Sequence, residues 1–324
     1  MGIEVIAEIG INHNRSVDQA RVLIDAAIMA GADTAKFQCC IPELETSMRA
    51  APEHARFIRD LMLGFNDLLV LKRHCEDHGI RFLVTPGDTE SLKFLLSIEV
   101  ARLKISSDNL PHVPMLRTAA ASGKPLIVST GMASMAGVGA AFTVLHEARD
   151  RLTFLHCTSL YPCPEEKANL RAIITMRDLL KVPIGWSDHT QSTTLAGAAV
   201  ALGAVVIEKH ITLDRNAPGP DNAASLEPDQ LRSMVDFIRS VETGLGDGIK
   251  QPFSDEDVAR QIVGKSLVAT REINPGDRFT ADNLGVMRPG TGRTPWDYDA
   301  LLGTVCIEGY SEGELILPLS EGPL

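Results

Sequence analysis

The sequence contains no apolar run near the ~18 residues that would span a bilayer. Its start, Met1-Gly2-Ile3-Glu4, has no basic stretch leading into an apolar one, so no secretory leader is expected. Position six is Ile6, not Ser or Thr, which removes a myristoylation signal. Basic charge is also short: 31 Lys and Arg against 42 Asp and Glu leave a net charge of −11. That argues against non-specific nucleic-acid binding, and an anionic substrate would need a local basic pocket. The six cysteines (Cys39, Cys40, Cys75, Cys157, Cys163 and Cys306) show no C-x-x-C pair and read as reduced thiols. A cytoplasmic protein that binds neither membrane nor nucleic acid is expected.

What is present is a regular alternation. Strand-like runs cover Ile3 to Ile9, Asp33 to Gln38, Ile80 to Val84, Val100 to Ile105, Pro125 to Ser129, Arg151 to Cys157, Val182 to Trp186 and Ala204 to Ile207. A helical pattern follows each, from Val17 to Ala30 through to Pro228 to Thr243, with an insertion after Gln38 that looks helical between Ala51 and Met62. Asn66 or Asp67 would cap the helix that ends at Gly79. Eight βα units in about 245 residues predict an α/β fold, a (β/α)8 TIM barrel over residues 1–248. A doubly wound sheet is the competing arrangement, but no G-x-G-x-x-G follows the first strand. Residues 249–263 read as a polar linker. Residues 264–324, with short strands and turns such as Asn274-Pro275-Gly276-Asp277, read as a small, mostly β module.

Polar residues close the strands: Glu8, Lys36, Thr85, Lys104, Ser129, His156, Asp188 with His189, and Glu208 with His210. In a barrel these ends converge on the catalytic face. His189 and His210 would offer an open site for a borderline divalent ion such as Mn²⁺, Zn²⁺, Fe²⁺ or Co²⁺, and Asp221 on the following loop would add an oxygen. As isolated histidines they would more often be core or supporting residues than ligands, and it is their matched positions at two strand ends that favour the metal. Lys36 and Lys104, with Ser129, Ser187 and Ser107, would cradle a phosphate, or a phosphate and a carboxylate. Alternatively each lysine pairs with Glu8 or Glu208. Glu8 would serve as acid, base or sugar ligand, and His13 reads as a loop or capping residue. Metal, anion cradle and carboxylate together suggest aldol-type carbon–carbon bond formation with a phosphorylated partner.

At these residues the sequence resembles the sialic acid (N-acetylneuraminate or nonulosonate) synthase family. The matching stretches are Ala7-Glu8-Ile9-Gly10-Ile11-Asn12-His13-Asn14, Lys36-Phe37-Gln38, Lys104-Ile105-Ser106-Ser107, Ser129-Thr130-Gly131-Met132, Ser187-Asp188-His189-Thr190, Glu208-Lys209-His210 and Gly219-Pro220-Asp221. Residues 264–324 resemble that family's antifreeze-like (SAF) domain, through Arg288-Pro289-Gly290-Thr291-Gly292. The resemblance implies that phosphoenolpyruvate condenses with the aldehyde of an N-acetylated amino sugar, giving a nine-carbon 2-keto acid and phosphate. It implies a metal, Mn²⁺ foremost with Mg²⁺ or Co²⁺ as substitutes, on His189 and His210. Lys36 and Thr85 would meet the carboxylate of phosphoenolpyruvate. Lys104, Ser129, Ser187 and Ser107 would meet its phosphate, Glu8 and Asp221 the sugar or the attacking water, and Tyr161 the pocket wall. Arg288 would cross a domain-swapped homodimer to the N-acyl group. The family pattern changes at Asp108-Asn109, Ser159 and Gly87, so Asn109 and Ser159 are expected to tune the acceptor. The alternatives are a synthase with another aldose acceptor, resembling the spore-coat-polysaccharide proteins, and an inactive sugar-phosphate-binding homologue.

Overall fold

A computed structural model describes residues 2–317. The chain divides into two compact units, Met1–Gly246 and Asp247–Leu324.

In the first unit eight strands form one sheet: β1 (Glu4–Gly10), β2 (Thr34–Cys39), β3 (Arg81–Pro86), β4 (Leu103–Ile105), β5 (Leu126–Ser129), β6 (Leu152–Cys157), β7 (Ile184–Asp188) and β8 (Val206–His210). The order is β3-β2-β1-β8-β7-β6-β5-β4, and each ladder with a recorded register is parallel. β3 and β4 lie against each other and close the sheet into a TIM barrel. Side chains alternate across the strands with period two. Val5, Ala7, Phe37, Val128, Phe154, Trp186 and Ile207 face outward into the layer under the helices. Ile6, Leu83, Ile127, Leu155 and Val206 form a separate apolar plug inside the barrel. Two residues beyond each plug residue, on the same inward row, come Glu8, Thr85, Ser129, Cys157 and Glu208. The floor of the barrel is therefore apolar and its mouth polar.

Several boundaries differ from the sequence reading. β7 and β8 run on through Asp188 and His210, past the apolar runs that seemed to define them. The insertion after β2 folds as two short helices, Pro42–Glu45 and Pro52–Leu61, each begun by proline, where the missing N–H costs nothing. The helix Phe65–Asp77 is capped at Gly64, not at Asn66 or Asp67; the Asp67 carboxylate accepts the Gly64 N–H at 3.0 Å.

The second unit opens with a 3-10 turn, Ser254–Glu256, and a helix, Asp257–Val263, where a plain linker was expected. β9 (Ser266–Ala269) pairs antiparallel with β10 (Leu284–Met287), and isolated bridges join Val268 to Leu315, Ile273 to Tyr310 and Arg278 to Val305. Leu267, Ala269, Ile273, Phe279, Leu284, Leu301, Cys306 and Ile316 make its core. Residues 318–324 of the expected 264–324 module lie outside the described residues.

Candidate active site

The barrel mouth holds a cavity of about 460 Å³. Four buried charges occupy its base. Lys36 Nζ lies 3.0 Å from Glu8 Oε2 and 3.4 Å from Glu208 Oε2. Lys104 Nζ lies 3.6 Å from Glu208 Oε1. The ion-pair reading of the lysines therefore holds, and all four side chains still line the cavity. Around them Lys36 donates to Thr85 Oγ1 at 3.1 Å, Lys104 to Ser129 Oγ at 2.6 Å, Ser187 to Glu208 Oε1 at 2.8 Å, and Gln38 Nε2 to Glu8 Oε1 at 2.8 Å. Glu8 Oε2 and Glu208 Oε2 are buried and held by the Lys36 charge, with no hydrogen bond among the described residues.

Burial works against the Lys36 ammonium, but Glu208 and Glu8 outweigh it and hold its pKa above the ordinary lysine value. Lys104 goes the other way: burial pulls it down, Glu208 offsets this only in part, and Lys36 adds to the fall. Burial also opposes the Glu208 carboxylate, yet Lys104 and Lys36 carry it below the usual carboxylate range. An arriving anion can take over part of what Glu208 does for the two ammonium groups.

The histidines stand on the adjoining wall, with ring centroids 5.4 Å apart. His189 Nδ1 lies 2.9 Å from the Thr158 carbonyl, so it carries the proton and leaves Nε2 with a lone pair. Burial, helped by His210, lowers the His189 pKa to about 3 and keeps the ring neutral. His210 Nδ1 is buried, 3.6 Å from Asp221 Oδ2, and finds no hydrogen-bond partner among the described residues. Two neutral or unsatisfied imidazoles beside a carboxylate are a donor set that fits a borderline divalent cation. Tyr161 leans on His189 at 4.1 Å between ring centroids and meets His210 edge-on at 5.9 Å.

Ser107, Ser159 and Tyr161 line the same cavity. The Ser107 hydroxyl accepts the Gly131 N–H at 2.9 Å. Asn109 is not among the lining residues: its amide donates to Gly87 O, Ser106 Oγ and Asp108 Oδ2, bracing the wall from behind. Arg288 belongs to the second unit, where it follows β10 and is exposed.

Two of the expected converging ends do not converge. His156 and Asp188 fall on the outward row of their strands, because each is one residue out of step with the inward serines and cysteine. His156 Nε2 contacts the Ala168 carbonyl at 2.8 Å. Asp188 pairs with Lys209 at 2.6 Å, both fully buried, and accepts the Thr190 N–H. His13, buried in the loop after β1, accepts the Arg15 N–H at Nδ1, a loop role as expected.

The cavity also brings in residues to which the sequence reading gave no role, Gln38, Glu45, Met62 and Met132, and it places Glu208 and Asp108 in the lining. Gln38 was within reach, since it lies two positions past Lys36 on the same strand face. Glu45 and Met62 come from the insertion: Glu45 ends a four-residue helix too short to show a period, and Met62 caps the helix Pro52–Leu61 that the sequence did suggest.

Residues 23–250 match the NeuB family, and residues 264–319 match the SAF domain. The chain belongs to the NeuB family. It is 38% identical to the N,N'-diacetyllegionaminic acid synthase of Campylobacter jejuni, over 96% of this chain and 98% of that one. It is 35% identical to the spore coat polysaccharide biosynthesis protein SpsE of Bacillus subtilis, over 88% and 83%. The crystal structure of an N-acetylneuraminic acid synthetase from Leptospira borgpetersenii superposes with a TM-score of 0.76 at 34% identity, covering 80% of this chain and 90% of that one. This NeuB-family chain is an enzyme of the nonulosonic acid synthase class.

Proposed function

We propose that the protein condenses phosphoenolpyruvate with the open-chain aldehyde of an N-acetylated amino sugar, using one water and releasing phosphate and a nonulosonic 2-keto acid. The observation that carries this reading is the Glu8–Lys36–Glu208–Lys104 cluster sharing one cavity with His189 and His210.

Lys104, with the Ser129, Ser187 and Ser107 hydroxyls, holds the phosphate of phosphoenolpyruvate. Lys36 and Thr85 hold its carboxylate. Glu208, between the two ammonium groups, keeps both in place for the dianionic end. The methylene carbon of phosphoenolpyruvate then faces the aldehyde carbon, and the new C–C bond forms there. Glu8, oriented by Gln38, takes a proton from the water that adds at the former enol carbon, and phosphate leaves as the 2-keto group forms. His189 and His210, with Asp221 beside them, are the residues that would hold the divalent cation, Mn²⁺ foremost. When bound it supplies Lewis acidity toward the acceptor's carbonyl oxygen.

For the acceptor we favour a 2,4-diacetamido-6-deoxy aldose. The support is the Campylobacter relative's named product together with the cavity wall. Met62, Met132 and Cys40 offer an apolar patch suited to a methyl terminus, and Glu45, Asp108 and Ser159 offer acceptors for amide N–H groups. The likeness to SpsE favours a second reading with a different aldose. Arg288, donated across a domain-swapped dimer, is our candidate for the N-acyl contact.

The test is phosphate release from phosphoenolpyruvate with Mn²⁺, across N-acetylmannosamine and the two 6-deoxy-diacetamido sugars. Release with a diacetamido sugar, abolished in His189→Ala and His210→Ala, is expected. Preference for N-acetylmannosamine overturns the acceptor assignment, and no release with any sugar favours the second reading.

A further inference from the structure

On the outer layer of the barrel, away from the mouth, three metal-ligating side chains meet. Asp25 comes from the helix Val17–Met29 after β1, and His74 and His78 come from the helix Phe65–Asp77 and its C-cap ahead of β3. One ligand atom from each lies within 4.8 Å of the other two. Among the described residues no other group of three His, Cys, Asp or Glu side chains is gathered this tightly. His74 Nε2 sits 2.8 Å from Asp25 Oδ1. The two imidazoles, four residues apart on one helix face, have ring centroids 4.2 Å apart. His78 Nδ1 lies 2.8 Å from the His74 carbonyl, which fixes the proton there and leaves Nε2 as the lone-pair nitrogen. A backbone carbonyl orienting a ligand imidazole is the supporting contact that metal-binding histidines use.

We propose that Asp25, His74 and His78 form a second divalent-cation site, separate from the barrel mouth and matched to Zn²⁺. Two imidazole nitrogens and one carboxylate oxygen are zinc donors, and His78 is exposed, so water can complete a tetrahedral shell. Bonds of ~2.0–2.1 Å place tetrahedral donors about 3.3 Å apart, so the 2.8 Å His74–Asp25 contact opens slightly while His78 closes in. The cation takes the place of the Nε2 proton that His74 shares with Asp25, and the neutral ring carries its single proton on Nδ1 instead. The bound ion clamps the helix after β1 to the helix ahead of β3, on the sector of the barrel that carries Glu8, Lys36 and Gln38.

The experiment uses the full chain carrying His189→Ala and His210→Ala, so that the mouth takes up no metal. Co²⁺ titration followed by visible absorption should show one bound equivalent, and Zn²⁺ should raise the thermal midpoint by several degrees in a concentration-dependent way. Adding His78→Ala, or His78→Gln as a second variant, should weaken uptake by more than the ~10–100-fold that loss of a mere supporting contact costs. It should also erase the Zn²⁺ shift while leaving the metal-free midpoint unchanged, because the His74–Asp25 hydrogen bond survives. No Co²⁺ uptake in the parent, or uptake and thermal shift that both survive the His78 substitutions, overturns the proposal.

Discussion

At the scale of the residue, Glu208 is the hub of the mouth. Among the described residues it is the one carboxylate within 4 Å of both ammonium groups, at 3.4 and 3.6 Å, and it is buried. Glu208→Gln keeps the shape and the Ser187 bond but leaves Lys104 without an anion. Removing one partner of a buried ion pair costs about 3–5 kcal/mol, so urea unfolding of Glu208→Gln should show a loss in that range. A loss under about 1 kcal/mol, the value of an exposed pair, would mean that water screens the cluster. The polar strand ends were legible as residue types, because an ionisable group at the end of a Val/Ile run is costly without a task. Their facing was not, until each was counted from a plug residue. Val206, Glu208 and His210 share one row, while Lys209 falls on the other and meets Asp188. Ionisable side chains at a strand's end can satisfy themselves on either face, so residue type alone does not choose between mouth and outer layer.

At the scale of the element, the turn after β5 is built around close approach. A Cβ on Gly131 would come within 2.2 Å of Ser159 Oγ and 2.8 Å of Ser107 Oγ. The loops after β4, β5 and β6 therefore pack through a position that has room for hydrogen alone. Gly131→Ala should displace both hydroxyls and cost about 1–3 kcal/mol as overpacking. It should also raise the KM for phosphoenolpyruvate, through Ser107, and the KM for the sugar, through Ser159; steady-state kinetics with each substrate varied would contradict this if both KM values stayed unchanged. The eight βα units were readable because each strand needs an apolar outward row and each helix an apolar stripe. The ends of β7 and β8 were not, since Ser187, Asp188, Glu208 and Lys209 look like loop chemistry when read by hydropathy. Their hydrogen bonds and ion pairs keep them in the sheet. In the insertion after β2 the ten-residue helix Pro52–Leu61 was legible as the helical stretch between Ala51 and Met62, whereas Pro42–Glu45, at four residues, is too short to display a period.

At the scale of the whole molecule, the barrel unit holds the charge cluster and both histidines, and the second unit holds Arg288. If Arg288 serves the partner's barrel, a Arg288→Ala chain and a His210→Ala chain are each inactive alone, yet a mixed dimer contains one complete site. Random reassortment after mild dissociation should restore about a quarter of wild-type activity in a two-fold dimer. Activity that stays at zero would place Arg288 in its own barrel's site or outside the reaction. The most direct measurement for the central claim is product analysis by mass spectrometry, with phosphate counted in parallel, from phosphoenolpyruvate, Mn²⁺ and a diacetamido-6-deoxy aldose. The expected result is a nine-carbon 2-keto acid formed one-for-one with phosphate, and neither product from Lys104→Met. Phosphate released without a nine-carbon acid would mean that the mouth hydrolyses phosphoenolpyruvate without joining it to a sugar, and would contradict the condensation.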